Sequence, residues 1–189
     1  MANVYTGTLN GAVQTGYFVG PPQGTPGQIV FPEQNHIING YPVQSGFIYC
    51  GRGVVKGTDI TVAPNAYGNN NSPFGAAAPN ASSTADDFLG ILTLDHAARN
   101  DSDGNAGKQQ HDMAGIVEDG FVFVKLYQNT TTKGDVFMVI DGTNPLNAPV
   151  GSFVSDALSG AAIQIPRLQW WATYNHQAQS YGIVRVFAK

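Results

Sequence analysis

The sequence predicts an all-β protein: a small β-barrel or jelly roll with an extended N-terminal arm and a long loop insertion. Three observations predict it. Charged residues are only 12% of the 189, while glycine (23) and proline (11) are abundant. This polar, uncharged, turn-rich makeup suits many short connections between strands. Short apolar runs recur at roughly ten-residue spacing between turn signals. Helical periodicity is nearly absent; the best candidate, 85–98, alternates Leu and Ile around Gly90 and reads as strand.

Residues 1–27 read as an arm. It closes with Gly20-Pro21-Pro22-Gln23-Gly24-Thr25-Pro26-Gly27, whose three prolines exclude helix and central strand. Tyr5, Tyr17 and Phe18 give it hydrophobic anchors, so ordering on a partner is expected. The β domain spans 28–189. Expected strands are 28–31, 46–50, 53–56 and 59–62, followed by a loop insertion over 64–85 with Asn69-Asn70-Asn71-Ser72-Pro73 at its centre.

The strongest strands follow at 88–94, 115–117 and 120–127, the last two joined or bent at Glu118-Asp119-Gly120, with a polar loop over 95–112. Phe121, Phe123 and Tyr127 face one side of 120–127, and Val122, Val124 and Leu126 the other. Apolar residues on both faces predict a strand whose outer face is also covered. Val136-Phe137-Met138-Val139-Ile140, then 169–173 and 182–187, complete the set. Trp170-Trp171 places one ring on each side of a strand, one for the core and one for an outer face or interface.

Net charge is −4, and the nine Lys and Arg are scattered. No basic stripe exists, so no nucleic-acid partner is expected. No run approaches the ~18 apolar residues of a membrane span, and Met1–Gly7 lacks the regions of a signal peptide, so synthesis in a cytoplasm and no membrane partner are expected. The single Cys50, inside Phe47-Ile48-Tyr49-Cys50, reads as a buried core residue rather than a reactive thiol.

Asp101, Asp103, Asn105 and Asp112 have the spacing of calcium-loop ligands. Position 6 of that loop is Ala106 where glycine is required, so the segment reads as solvated turn sequence. His96 and His111, with Asp95 or Asp112, form no known metal frame. Val150-Gly151-Ser152-Phe153-Val154 lacks the second glycine of a nucleophile elbow. Asp86-Asp87 and Glu118-Asp119 are adjacent pairs that point to opposite faces of a strand. No catalytic residue, no metal and no cofactor are therefore expected, and the protein reads as a non-enzyme. The candidate partner-binding residues are Tyr5, Tyr17, Phe18, Trp170 and Trp171.

The order of short motifs goes further. Phe88-Leu89-Gly90-Ile91 comes first, then Gly115-Ile116-Val117 with Phe123-Val124-Lys125-Leu126, then Lys133-Gly134-Asp135-Val136-Phe137. Gly27-Gln28-Ile29, Gly46-Phe47-Ile48, Gly51-Arg52-Gly53-Val54 and Gly182-Ile183-Val184-Arg185-Val186 add to this order, which resembles the structural cement (decoration) proteins of tailed bacteriophages. The matched pieces lie within 27–189; the first 26 residues and the 64–85 insertion fall outside them. The resemblance implies a virion protein that clamps major capsid protein subunits on the outside of the head and oligomerises. Scarce charge and strands apolar on both faces favour a homo-oligomer, a trimer before a dimer. Another virion β-module (a head-fibre base, a tail or receptor-binding domain) is the alternative reading, and a carbohydrate-binding jelly roll a further one.

Overall fold

The computed structural model describes residues 24–30, 36–44, 46–59, 74–177 and 180–188. Twelve strands occur among them: β1 (Ile37–Pro42), β2 (Phe47–Tyr49), β3 (Gly53–Asp59), β4 (Phe74–Ala77), β5 (Phe88–Leu92) and β6 (Arg99–Asn100), then β7 (Ala106–Gln109), β8 (Met113–Lys125), β9 (Asp135–Val139), β10 (Phe153–Val154), β11 (Ala162–Trp170) and β12 (Tyr181–Val186). Two single 3-10 turns, Ala85–Asp87 and Leu158–Gly160, are the only helical pieces among the described residues. None is long and apolar enough to cross a membrane.

One curled sheet runs in the order β10-β9-β11-β12-β8-β5-β3-β4, with β1 also paired to β8. A parallel bridge between Val43 and Ala76 links the end of β1 to β4. That link closes β1, β8, β5, β3 and β4 around a core of Val43, Ile48, Cys50, Val54, Leu92 and Ile116. The larger core lies under β8, β9, β11 and β12 and is filled by Val122, Val124, Met138, Phe153, Trp170 and Val184. The predicted barrel or jelly-roll class is thus present.

The long strand β8 joins the two cores, because each of its halves serves a different neighbour. Residues 113–119 pair with β1, and residues 120–125 pair with β12. The sequence predicted a break or a bend at 118–120. The structure has one strand, with a register irregularity where Ile37 faces Asp119 and Ile38 faces Val117. Gly120 sits there at φ +142, where a Cβ would fall 2.0 Å from the His36 ring, so only glycine fits. A bulge leaves backbone groups outside the ladder. Arg167 takes up one, donating from Nη2 to the Glu118 carbonyl at 3.1 Å and from Nε to the Phe187 carbonyl at 2.9 Å.

A separate three-stranded sheet, β2-β7-β6, lies beside the smaller core. Lys108 of β7 is buried and pairs with Asp95 at 2.7 Å, which ties this sheet to the chain leaving β5. Cys50 is buried as expected, its thiol 3.2 Å from the Thr93 carbonyl, and burial pushes its pKa up to about 11. Asp101 accepts backbone N–H groups from Asp103 (2.9 Å) and Asn105 (2.8 Å), and Asp112 accepts two bonds from Arg99 at 3.1 Å. Both carboxylates thus hold the turns around β6 and β7.

Several boundaries differ from the sequence reading. The stretch 64–85 contains β4, and the polar loop 95–112 contains β6 and β7. Strand β1 was not foreseen, and β11 begins at Ala162 rather than 169. Of segment 28–31, residues 28–30 are described and make one isolated bridge, Ile29 to Val122; of the expected strand 59–62, Asp59 ends β3, and 60–62 together with 64–73 of the insertion lie outside the described residues. Of the expected arm, 1–23 lie outside the described residues. Its last residues are part of the domain: Gly27 donates to the Phe123 carbonyl and accepts from Leu94, both at 2.8 Å.

Candidate interaction surface

The outer face of the β11-β12-β8 sheet carries the candidate surface. In β12 against β8, Arg185 stands opposite Phe121 and Ile183 opposite Phe123, while Val184 stands opposite Val122 on the inner side. Period two therefore sends Val122, Val124, Val184 and Val186 into the core, all fully buried. Each contributes about 1.5–3 kcal/mol by burial. The same period sends Phe121, Phe123, Ile183 and Arg185 outward.

Those outward aromatics are nonetheless buried, and the cover comes from within the chain. The Trp171 ring stands edge-on to Phe121, 4.6 Å between centroids at 80°. Arg185 lies over Phe121 at 4.6 Å and over Phe187 at 5.2 Å, within the range of a cation–π contact. The backbone at Gly24 lies so close on Phe123 that a Cβ there would be 2.4 Å from its ring. The two-faced apolar strand thus has its cover in this chain, so that pattern by itself does not demand an oligomer.

What remains exposed forms a ridge. Trp171 is 48% exposed, and Phe187 stands half open beside it. Arg185 is fixed by Asp119 at 2.7 Å, and Tyr41 donates to the Glu118 carboxylate. Burial, with that carboxylate adding to it, pushes the Tyr41 hydroxyl up to about 12. Exposed Ile37 pairs with Asp119 at the edge of the ridge, and exposed Ile38 follows, paired with Val117. Among the described residues β1 pairs with β8 alone.

Of the five residues singled out in the sequence, Tyr5, Tyr17 and Phe18 lie outside the described residues. Trp170 must be withdrawn as a partner contact: it is 1% exposed and belongs to the larger core. Its indole N–H finds no acceptor among the described residues, which makes it a costly but well-packed core residue. Trp171 is where a partner could reach it. Arg185, Phe187, Ile37 and Ile38 were missed. Their exposure follows from strand pairing between distant segments, which no local pattern records.

The ridge sets Trp and Arg, residue types enriched at contact surfaces, on a rigid sheet with exposed aliphatics. Comparison with known proteins gives the family. Residues 13–187 match the family described as structural cement protein (E217 gp24/Pam3 gp6). The match begins within the arm and runs through 64–85, so residues 13–26 and the whole of 64–85, set aside in the sequence reading, are inside it. A chain from the capsid of Myoviridae phage XM1 has the same fold, with a TM-score of 0.58 over 94% of this chain and 96% of that one at 16% identity. Among curated proteins none matches. The chain belongs to the phage structural cement protein family, a structural protein of the virion capsid that binds capsid proteins and stabilises the shell.

Proposed function

We propose that the domain sits on the outside of the head across adjoining major capsid protein subunits, with the Trp171 ridge against the shell. One observation carries this reading: a half-exposed tryptophan is held in place by Phe121 on a rigid sheet beside a fixed arginine. Such rigid aromatics act as anchors because little side-chain entropy is lost on binding. Packaged DNA pushes the shell outward, and a subunit bound across a seam adds buried area where the shell would part. Many copies turn a modest contact into a large total stabilisation.

The arm 1–27 acts in this reading as a tether over a neighbouring subunit, with Tyr5, Tyr17 and Phe18 as its anchors. The assembled unit is a homo-oligomer, a trimer before a dimer, and the protein is made in the host cytoplasm. Neither a catalytic residue nor a cofactor enters the role. The test is addition of purified protein to undecorated heads, followed by imaging at moderate resolution. Density outside the shell, bridging subunits and touching it through the Trp171 face, is the expected result. Density inside the shell, or on the tail, overturns the proposal. Removing residues 2–19 is expected to leave the β domain folded and to weaken head binding; equal affinity at matched salt would retire the tether.

A further inference from the structure

A cavity of about 560 Å³ opens between the small β2-β7-β6 sheet and the main sheet. Its walls include Tyr49, Tyr127, Tyr181 and Pro149, and its cations are Arg52 and Lys125. It lies apart from the Trp171 ridge, and the reading above makes no use of it.

Arg52 is the unusual member. It follows Gly51 in the loop between β2 and β3 and is half-buried. Its guanidinium lies over the Tyr49 ring at 4.2 Å, and its Nη1 makes one long bond, 3.4 Å, to the Val150 carbonyl. No carboxylate among the described residues lies within 4 Å of it. A guanidinium has five donors in a planar fork, so most of its donors are left for another partner. A desolvated charge without a counter-charge is costly, and burial holds this guanidinium below its ordinary pKa. Among the described residues Lys125 also has no carboxylate within 4 Å; its ammonium lies 5.6 Å from the Tyr127 ring centre.

Asp101 acts on Arg52 through space but does not pair with it. Asp101 spends its oxygens on the N–H groups of its own turn and accepts from Tyr49, and Asp103 stands further along that turn. The chain has nine Lys and Arg in all. Two of them line one cavity, both without an ion-paired carboxylate among the described residues and both against tyrosine rings.

We propose that this cavity receives an extended segment of a capsid protein and that Arg52 binds a carboxylate side chain on it. Lys125 flanks the same carboxylate at the mouth, and the tyrosines and Pro149 hold the segment's apolar neighbours. Charge complementarity selects the occupant: an uncharged segment would leave Arg52 desolvated and unanswered, and a basic one would be repelled. The inference names a partner chemistry for the capsid-binding role proposed above and rests on that reading for the source of the segment.

The test uses overlapping fifteen-residue peptides covering the major capsid protein of the same phage. Each has a counterpart in which Asp and Glu are replaced by Asn and Gln, and binding to the full chain is read by fluorescence polarisation. At least one acidic peptide is expected to bind, with its amide counterpart weaker by about tenfold or more. Arg52→Met keeps the stem against Tyr49 and removes the charge. It should cost a similar factor for the acidic peptide and nothing more for the amide one, the signature of a direct pair. Lys125→Gln, at an exposed position, should cost less and leaves the fold intact if Arg52→Met unfolds. Binding without carboxylate dependence, carboxylate dependence that survives in folded Arg52→Met, or loss in neither variant overturns the proposal. Stronger binding by acidic peptides from this chain itself overturns the choice of source. The head-binding assay separates the two readings. Wild-type decoration by Arg52→Met with loss in Trp171→Ala sinks the cavity and spares the ridge.

Discussion

The two faces of the β11-β12-β8 sheet are both apolar, yet they do different work. The inner face is sealed by Trp170 and by valines 122, 124, 184 and 186, none more than 1% exposed. On the outer face, the cover of Phe121, Phe123 and Ile183 among the described residues includes the Trp171 ring, the Arg185 guanidinium and the backbone at Gly24. Consecutive tryptophans thus divide between a sealed face and an open one. A strand apolar on both sides can mean a second core, or a surface kept closed by side chains that also present it to a partner. In the role proposed above, the cation and the half-open indole make this the second case.

The sharpest way to break this comparison is to remove each tryptophan in turn. Trp170→Ala empties a fully packed site and is expected to cost about 3–5 kcal/mol, lowering the thermal midpoint by roughly ten degrees or more. Calorimetry checks it, and an unchanged midpoint would mean the ring is not in the core. Trp171→Ala should cost the fold about 1 kcal/mol or less. Its effect belongs to binding, where loss of a central anchor of about 2 kcal/mol weakens attachment to heads roughly thirtyfold. Titration of undecorated heads reads this loss. If the two variants exchange effects, the faces have been assigned the wrong way round.

How far the sequence foretold this division depends on which interactions are local. Period-two alternation in Phe121–Lys125 and the adjacency of Trp170 and Trp171 established that each strand has two apolar sides. It could not say which tryptophan was inside, because that depends on β11 pairing with β12 through Trp170 and Val184. Arg185 read as an ordinary strand residue until its pairing with Phe121 made it a lid. Strand β1 was missed because Asn39, Gly40 and Pro42 have low strand propensity, and it forms through pairing with β8 rather than through its own propensity. The loop over 95–112 hid β6 and β7 for the same reason. Arg52 was visible only as part of a motif. Its lack of an ion-paired carboxylate among the described residues is a fact of three dimensions.

Alkaline pH should probe the buried side of both cores without any substitution. Tyr41 and Tyr174 are both pushed up to about 12, chiefly by burial. A folded pKa above the unfolded one favours the protonated native state. The stabilising contribution is fully present below the unfolded value near 10 and is lost as pH rises through about 12. Chemical denaturation midpoints are therefore expected to be insensitive to these groups near neutrality and to fall between about pH 10 and 12. Tyr174→Phe should flatten part of that fall, as should Tyr41→Phe. A fall of equal steepness in both variants would assign it to other groups.

The smallest expected effect concerns the lid of the outer face. Arg185 and Asp119 are paired at 2.7 Å, each side chain about a quarter exposed. An ion pair this open to solvent contributes about 1 kcal/mol at most, and salt screens it. Asp119→Asn should therefore move stability by less than either tryptophan does. Its interest lies in position rather than energy: Asp119 is what holds the guanidinium over Phe121 and beside Phe187. Freed from it, Arg185 can leave the ring, and the ridge loses its fixed shape. The expected outcome is a thermal midpoint within a few degrees of wild type together with a several-fold weaker attachment to heads. Arg185→Met, which keeps apolar cover over Phe121 without the charge, should retain more stability than Arg185→Ala. If Asp119→Asn binds heads as tightly as wild type at low and high salt, the fixed cation is only a lid, and Trp171 with Phe187 must carry the contact alone.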